Sequence, residues 1–115
     1  MTEQQYQSKI IKSIEDIGGI VVNGSYTKAG IADLICGYPI ENRLIHLHIE
    51  VKTEAAYKTL FDKNIIELEG FYVCNKKFTG REVLQAYKLN EVRRKGGLAL
   101  FAYSFEQVKA YCSKF

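Results

Sequence analysis

The sequence predicts a three-layer α/β domain, and three observations support this prediction. Apolar residues recur at helical spacing near both ends of the chain, and residues in the middle alternate at strand spacing. The run LALFAY, residues 98–103, is almost wholly apolar, which is typical of a strand covered on both faces. Strands of this kind mixed with helices favour a sheet with helices on both sides.

The composition fits a single folded domain, residues 1–115. Of these residues 47% are hydrophobic and 25% charged, and there is one proline. This length suffices for one core and is short for two. The sequence lacks an apolar run of roughly 20 residues, as a membrane span needs, and its polar start, MTEQQYQSK, lacks a signal-peptide core. We therefore expect a cytoplasmic protein. The three cysteines, Cys36, Cys74 and Cys112, are odd in number, far apart and surrounded by apolar residues. These properties favour free buried thiols over disulfides or a zinc site.

The first half of the chain reads as a helix followed by a β-meander. Thr2 and Gln5 form a capping box, and isoleucines at helical spacing follow until Gly18 and Gly19 end the pattern. The stretch 23–30 is rich in turn-forming residues, and the only proline lies in a predicted turn at 38–42. The three strands predicted around these turns are residues 20–22, 31–37 and 43–52.

The second half of the chain contains the segment that sequence patterns define least, residues 53–77. Part of it fits a short helix, and part mixes strand-like residues with an internal Gly70. A capping box of Thr79 and Glu82 then predicts a helix that reaches about Lys95. The apolar strand 98–103 follows, and Ser104 with Gln107 predicts the cap of a last helix.

The third predicted strand, RLIHLHIEVK, carries polar residues on one face. Side chains alternate along a strand, so Ile45, Leu47, Ile49 and Val51 form a core face. Taken alone, Glu50 and Lys52 on the other face are best explained as a solvent-facing charge pair. The residues that share their face are Leu44, His46 and His48, and we expect the two histidines to line the approach to the polar face.

Asp33 on the preceding strand shifts the balance towards a functional site. It lies between Ala32 and Leu34, where a buried carboxylate needs a partner. If the two strands are antiparallel neighbours, Asp33 and Glu50 point to the same side. Two such carboxylates repel each other unless a divalent cation lies between them, and oxygen ligands suit Mg²⁺ or Mn²⁺. Lys52 would then orient the attacking water and offset charge on a phosphoryl group, which predicts hydrolysis of phosphodiesters.

These residues together resemble the PD-(D/E)XK nucleases, and within them the VRR-NUC and Holliday-junction-resolvase-like branch. The resemblance is carried by Gly30, Asp33 and the sequence Glu50-Val51-Lys52, and it extends over residues 3–103 in the element order αβββαβ. It implies a restriction-endonuclease-like core and a Mg²⁺-dependent DNA endonuclease, with branched DNA as a candidate substrate. Ala32 stands in place of the proline that names the family, and the stretch between Lys52 and Gln85 is longer than in the smallest members.

The resemblance also implies a role for each site residue. The metal ligands would be the carboxylates of Asp33 and Glu50 and the backbone carbonyl of Val51, and Lys52 would assist the nucleophilic water. Glu3 on the first helix would complete the site through water. Gln85 would contact metal-site groups or phosphate.

The positive charge of the chain is concentrated in one segment. The net charge is +3, and seven lysines and arginines fall within residues 76–95. Such a cluster is either the solvated side of a helix or a surface that contacts phosphates. Beside a nuclease site, the predicted nucleic-acid contacts are Tyr26, Lys28, Lys76, Lys77, Arg81 and Lys88.

Two further expectations concern partners. One domain of this size presents one active site, so cleavage of two strands predicts a homodimer. Stand-alone members of the family suggest a bacterial or phage-infected cell. The alternative function is a nucleic-acid-binding or interaction module that keeps the fold without cleaving.

Overall fold

The computed structural model describes residues 1–23 and 34–115, and the side chain of Asn23 is outside this description. The described helices and strands follow one another in the order α1 (Glu3–Asp16), β1 (Ile20–Asn23), β2 (Leu34–Ile40), β3 (Arg43–Val51), α2 (Glu54–Lys63), β4 (Ile65–Leu68), β5 (Phe71–Cys74), α3 (Arg81–Arg94), β6 (Leu98–Ala102) and α4 (Phe105–Cys112).

Four strands form a mixed sheet in the order β1-β2-β3-β6. The first three strands are antiparallel neighbours, and β6 runs parallel to β3 after the crossover that contains α3. Helices α1 and α4 cover one face of this sheet, and α3 lies on the other with α2 and the β4–β5 hairpin. The predicted three-layer α/β architecture is confirmed.

Two hydrophobic cores lie on opposite faces of the sheet. The first joins Leu47, Ile49 and Val51 of β3 to Ile10 and Ile14 of α1, together with residues of α4. The second joins Phe101 of β6 to residues of α2, α3 and the hairpin. The apolar strand β6 is therefore covered on both faces, as its sequence predicts.

The predicted helix caps are correct at the two ends of the chain and wrong at α3. Thr2 and Gln5 form the capping box of α1, and the Ser104 hydroxyl accepts a hydrogen bond from the Gln107 N–H at the start of α4. At α3 the capping residue is Gly80, without a side-chain hydrogen bond, and not Thr79. Gly80 has a φ of +122°, a conformation that glycine alone adopts readily, so the helix begins one residue later than the pattern indicates.

Strand β2 extends further than its sequence predicts. Its described part continues through Pro39 to Ile40, and the turn shortens to Glu41 and Asn42. Strand β1 pairs with β2 only as far as Gly37, so no strand of the described residues lies beside Pro39 on that side. A proline is tolerated at such an edge because its missing N–H leaves no strand hydrogen bond unmade.

The segment 53–77 consists of a helix and a hairpin. Thr53 caps α2 by accepting from the Ala56 N–H, and the hairpin strands pair from Ile65 with Cys74 onwards. Glu69 and Gly70 form its two-residue turn, with φ values of +52° and +85°. Two consecutive positive φ values match the right-handed twist of a tight hairpin.

The three cysteines are free thiols, as predicted. Cys36 and Cys112 are buried in the first core, and Cys74 is half-buried beside the second. Burial is the main cause that raises the pKa of both core thiols to about 12. Both therefore stay protonated and unreactive at neutral pH.

On the α3 side, part of the sheet face is exposed among the described residues. Ile20 and Val22 of β1 are 54% and 59% exposed there, and Leu44 of β3 is 47% exposed beside Gly37. The pairing of the three strands places these side chains on the same face as His46. We call this the open face. Among the described residues, no helix combines the length and apolar character needed to cross a membrane.

Candidate active site

The polar face of β3 ends in a buried carboxylate. Side chains on the opposite face, Leu47, Ile49 and Val51, are fully buried in the first core. Glu50 is also buried, with 2% of its surface exposed, so it is not the solvent-facing charge that Glu50 and Lys52 alone suggest. A carboxylate in this position requires hydrogen-bond donors.

Gln85 of α3 supplies one of these donors and links Glu50 to Lys52. Its Nε2 donates to Glu50 Oε1 at 2.7 Å, and its Oε1 accepts from Lys52 Nζ at 3.0 Å. Gln85 is itself only 4% exposed. Its neighbours Ala86 and Leu89 pack in the second core, which fixes the helix above the strand. The Gln85 side-chain amide therefore bridges the Glu50 carboxylate and the Lys52 ammonium.

Lys52 lies just beyond the end of β3. Its backbone N–H donates to the Ala102 carbonyl of β6 at 2.9 Å, which continues the parallel pairing past Val51. Its ammonium lies 5.9 Å from the centre of the Phe101 ring. The side chain is half-buried. One end of Lys52 is thus anchored by the sheet and the other by Gln85.

The acidic group of this cluster is a carboxylate, a type of ligand that a hard cation prefers. Asp33, the other predicted ligand, lies outside the described residues. Within 1–23 and 34–115, no three His, Cys, Asp or Glu side chains lie close enough to hold a metal ion. The metal site therefore remains a prediction.

Glu3 lies in the first turn of α1 and is exposed. The start of α1 packs next to Tyr103, which follows β6, because the ring centres of Tyr6 and Tyr103 lie 6.4 Å apart. Tyr57 of α2 packs against the same ring, with 5.1 Å between the ring centres. The predicted contribution of Glu3 to the site stays a prediction.

His46 and His48 line a hollow of about 380 Å³ at the other end of β3, together with Val92 of α3 and Lys95, which follows that helix. Burial is the main cause that lowers the pKa of His48, and the charge of the neighbouring His46 is the second cause. His48 is therefore neutral at neutral pH. The arrangement agrees with residues that line the margin of the open face.

The predicted nucleic-acid contacts of the second half are all exposed. Lys76 and Lys77 lie in the turn before α3. Arg81 and Lys88 lie four residues before and three residues after Gln85, which places them on the same stripe of α3. Lys88 has a 3.8 Å contact with Glu91, an exposed pair that costs little to break. Tyr26 and Lys28 lie outside the described residues.

Arg93 of the same basic cluster is a structural residue, which sequence reasoning missed. Its side chain is 7% exposed and pairs with Glu67 at 2.9 Å. It also donates to the carbonyls of Ala99 and Gly70, and stacks on the Tyr72 ring. It ties the hairpin to α3 and β6. The repeated pattern of basic residues gave no signal that this one points inwards.

A second feature that sequence patterns did not indicate is a cavity of about 330 Å³ beside Lys52. Its walls come from α2, from Phe78 before α3 and from Glu82 in the first turn of α3. The lining residues come from two segments, 52–64 and 78–82, and carry no motif. We call this space the Phe78 cavity.

Comparisons with known proteins place the fold. No family model matches the chain, and no curated protein matches it. Among solved structures, the chain is similar to one described as a VRR_NUC domain, with a TM-score of 0.60 and 20% sequence identity. The match covers 98% of this chain and 96% of that one. The chain thus has the mixed-sheet fold of a VRR_NUC domain, which is the restriction-endonuclease-like architecture that the resemblance implies.

Proposed function

We propose that the chain is a metal-dependent endonuclease that hydrolyses phosphodiester bonds of DNA, with branched DNA as a candidate substrate. The observation that carries this proposal is the buried line of hydrogen bonds from Glu50 through Gln85 to Lys52. A buried carboxylate and a half-buried ammonium in one cluster are costly unless function or pairing compensates them. The shared fold with a VRR_NUC domain supports the same reaction class.

Asp33, Glu50 and the Val51 carbonyl would hold the cation, Mg²⁺ or Mn²⁺. Leu34, which follows Asp33 in the sequence, pairs with Ile49, the residue before Glu50. When bound, the cation supplies Lewis-acid stabilisation of the phosphate and a more acidic water.

Gln85 and Lys52 have complementary tasks in this proposal. Gln85 orients Glu50 by donating to one carboxylate oxygen, and its carbonyl oxygen holds the Lys52 ammonium. Lys52 can then donate to the attacking water or to a phosphate oxygen without a rotamer search, since positioning of this kind lowers the barrier. Exposed lysines and arginines on α3 and the preceding turn bind neighbouring phosphates.

The experiment is a cleavage panel. Wild type, Asp33→Ala and Lys52→Met are incubated with supercoiled, linear, single-stranded and four-way-junction DNA, in Mg²⁺, Mn²⁺ or EDTA. We expect cutting by wild type only with metal, and loss of cutting in both variants. Metal-dependent cutting that survives Asp33→Ala contradicts the mechanism. Absence of cutting by wild type on every substrate favours the non-cleaving binding module.

We also propose that two copies assemble, because cleavage of two strands requires two sites. The open face is the surface we assign to this contact. Its described side chains are apolar except for the two histidines, so it suits a second apolar surface better than a polyanion. Light scattering after gel filtration should give twice the chain mass for wild type and the single mass for Val22→Lys. A monomeric wild type at micromolar concentration contradicts this assignment.

A further inference from the structure

We propose that the Phe78 cavity binds one unpaired nucleobase of the substrate, next to the phosphodiester that is cut. This inference rests on the proposed function and names the feature of the DNA that the site selects. It is carried by the position, the size and the wall chemistry of the cavity.

The cavity shares one side chain with the proposed active site. Lys52 lines its wall, and the Lys52 ammonium donates to Gln85, which in turn donates to Glu50. A phosphate that contacts Lys52 therefore lies at the border of the cavity. The base of that nucleotide, or of its neighbour, is the group nearest to the opening.

The size and the apolar walls suit a nucleobase. A volume of about 330 Å³ lies at the small end of ligand pockets and is large enough for a single base. Leu60 and Ala56 of α2 form an apolar wall, and the partly buried Phe78 ring adds an aromatic surface. Bases stack on aromatic side chains whatever their identity, because each has a π-face.

Away from Lys52, the Glu82 carboxylate in the wall disfavours the sugar-phosphate backbone as the occupant. The Glu82 carboxylate lines the cavity and repels phosphate oxygens, while it accepts hydrogen bonds from the amino group of a base. Asn64 adds a side-chain amide that donates and accepts. The walls therefore favour adenine, cytosine or guanine over thymine, which lacks an exocyclic amino group.

The base must be unpaired to reach these groups. In a duplex its faces are stacked and its Watson–Crick edge is occupied, whereas branch points, flaps and single strands present free bases. The turn before α3 assists, because it carries Lys76 and Lys77 directly before Phe78 and is closed by the Phe78 N–H bond to Asn75 at 2.9 Å. Its lysines can hold the phosphates on either side of the extruded nucleotide.

The test uses whichever DNA wild type cuts, with an abasic site placed in turn at each nucleotide around the cut. We expect one abasic position to slow single-turnover cleavage about tenfold, the loss expected for one base–aromatic stack. Phe78→Leu, which keeps apolar bulk, should slow cleavage of intact DNA equally and add nothing on the abasic DNA. Tyr87→Leu, at an exposed aromatic outside the cavity, is the matched control and should cut like wild type. Glu82→Gln should reduce the preference against thymine at that position.

Equal cutting of all abasic substrates, or additive losses in Phe78→Leu and abasic DNA, overturns the inference and leaves the nuclease proposal intact. If wild type cuts nothing, the nuclease proposal fails and the cavity is tested by fluorescence of single-stranded DNA that carries 2-aminopurine, in EDTA. Quenching by wild type and Tyr87→Leu, but not by Phe78→Leu, then supports a base in the cavity. Equal fluorescence with all three proteins overturns it.

Discussion

Replacement of Gln85 by methionine should destabilise the domain and disable its proposed site together. Methionine keeps the length and apolar bulk of the side chain but removes both hydrogen bonds. A bond to a charged group contributes about 1.5–3 kcal/mol to stability. Glu50 is 2% exposed and loses a donor that water cannot easily replace, so its bond contributes about 2 kcal/mol. Lys52 is half-buried and can turn towards water, so its bond adds about 1 kcal/mol.

The free energy of unfolding should therefore fall by about 3 kcal/mol. For a domain of this size about 1 kcal/mol corresponds to roughly 4 °C, so we expect Tm to fall by about 12 °C. The assay is thermal unfolding by circular dichroism in EDTA, with Gln4→Met, at an exposed position of α1, as the control that changes little. Cleavage should fall about 100-fold, because Lys52 is no longer held in place.

Each half of this prediction can fail separately. A Tm within 2 °C of wild type, roughly 0.5 kcal/mol, would refute the reasoning that the amide bonds a buried carboxylate. A lower Tm with unchanged cleavage would show that Gln85 serves the fold alone. Addition of Mg²⁺ should recover part of the lost stability, since a cation bound beside Glu50 would replace the missing donor.

Three further predictions follow from the described contacts. Arg93→Met should lower the free energy of unfolding by about 4 kcal/mol, because it removes a buried guanidinium that makes an ion pair and donates to two backbone carbonyls. Arg94→Met, at an exposed position, is the control and should lower the free energy of unfolding by under about 1 kcal/mol. Both values are measured by urea unfolding. The thiols of Cys36 and Cys112 have raised pKa values in the fold, and this adds stability that is complete below their unfolded pKa near 9. The added stability is lost as pH rises from 9 to about 12, because the unfolded chain ionises first. Tm should therefore fall in that window, and the double alanine variant should show a flatter profile of Tm against pH. Duplex binding, measured by anisotropy, should weaken as the salt concentration rises. If all four exposed cations predicted to bind phosphate do so, log affinity against log salt concentration should have a slope of roughly −3 to −4. Replacing one of the four should reduce the size of that slope by about 1.

The local patterns predicted β3 well and the burial of Glu50 poorly. Alternation along a strand is a property of neighbouring residues, so Leu47, Ile49 and Val51 were correctly placed in the core. Glu50 was expected on a polar face, yet the structure buries it, because its partner Gln85 comes from a helix 35 positions later. The resemblance to a family included Gln85, but no pattern in the residues themselves joined it to Glu50.

The same distinction explains the turns and caps. Thr2 and Ser104 could be identified because a cap needs only residues within three positions. Thr79 satisfied the same pattern but was wrong, because Gly80 adopts a backbone conformation that the sequence pattern does not encode. In the hairpin, Gly70 signals a turn, whereas the positive φ of Glu69 is imposed by the pairing of the two strands.

The long stretch between Lys52 and Gln85 forms most of the walls of the Phe78 cavity. Helix α2 and the hairpin occupy it, and Tyr72 fastens them to the core: its hydroxyl accepts from the Phe101 N–H, and its own backbone N–H donates to Asn90. Most walls of the Phe78 cavity come from α2, the turn after the hairpin and the first turn of α3, and Lys52 is the side chain that the cavity shares with the residues proposed to cut DNA. Changes in the cavity walls other than Lys52 should therefore alter which DNA is cut, and changes at Glu50 or Lys52 should alter whether it is cut at all.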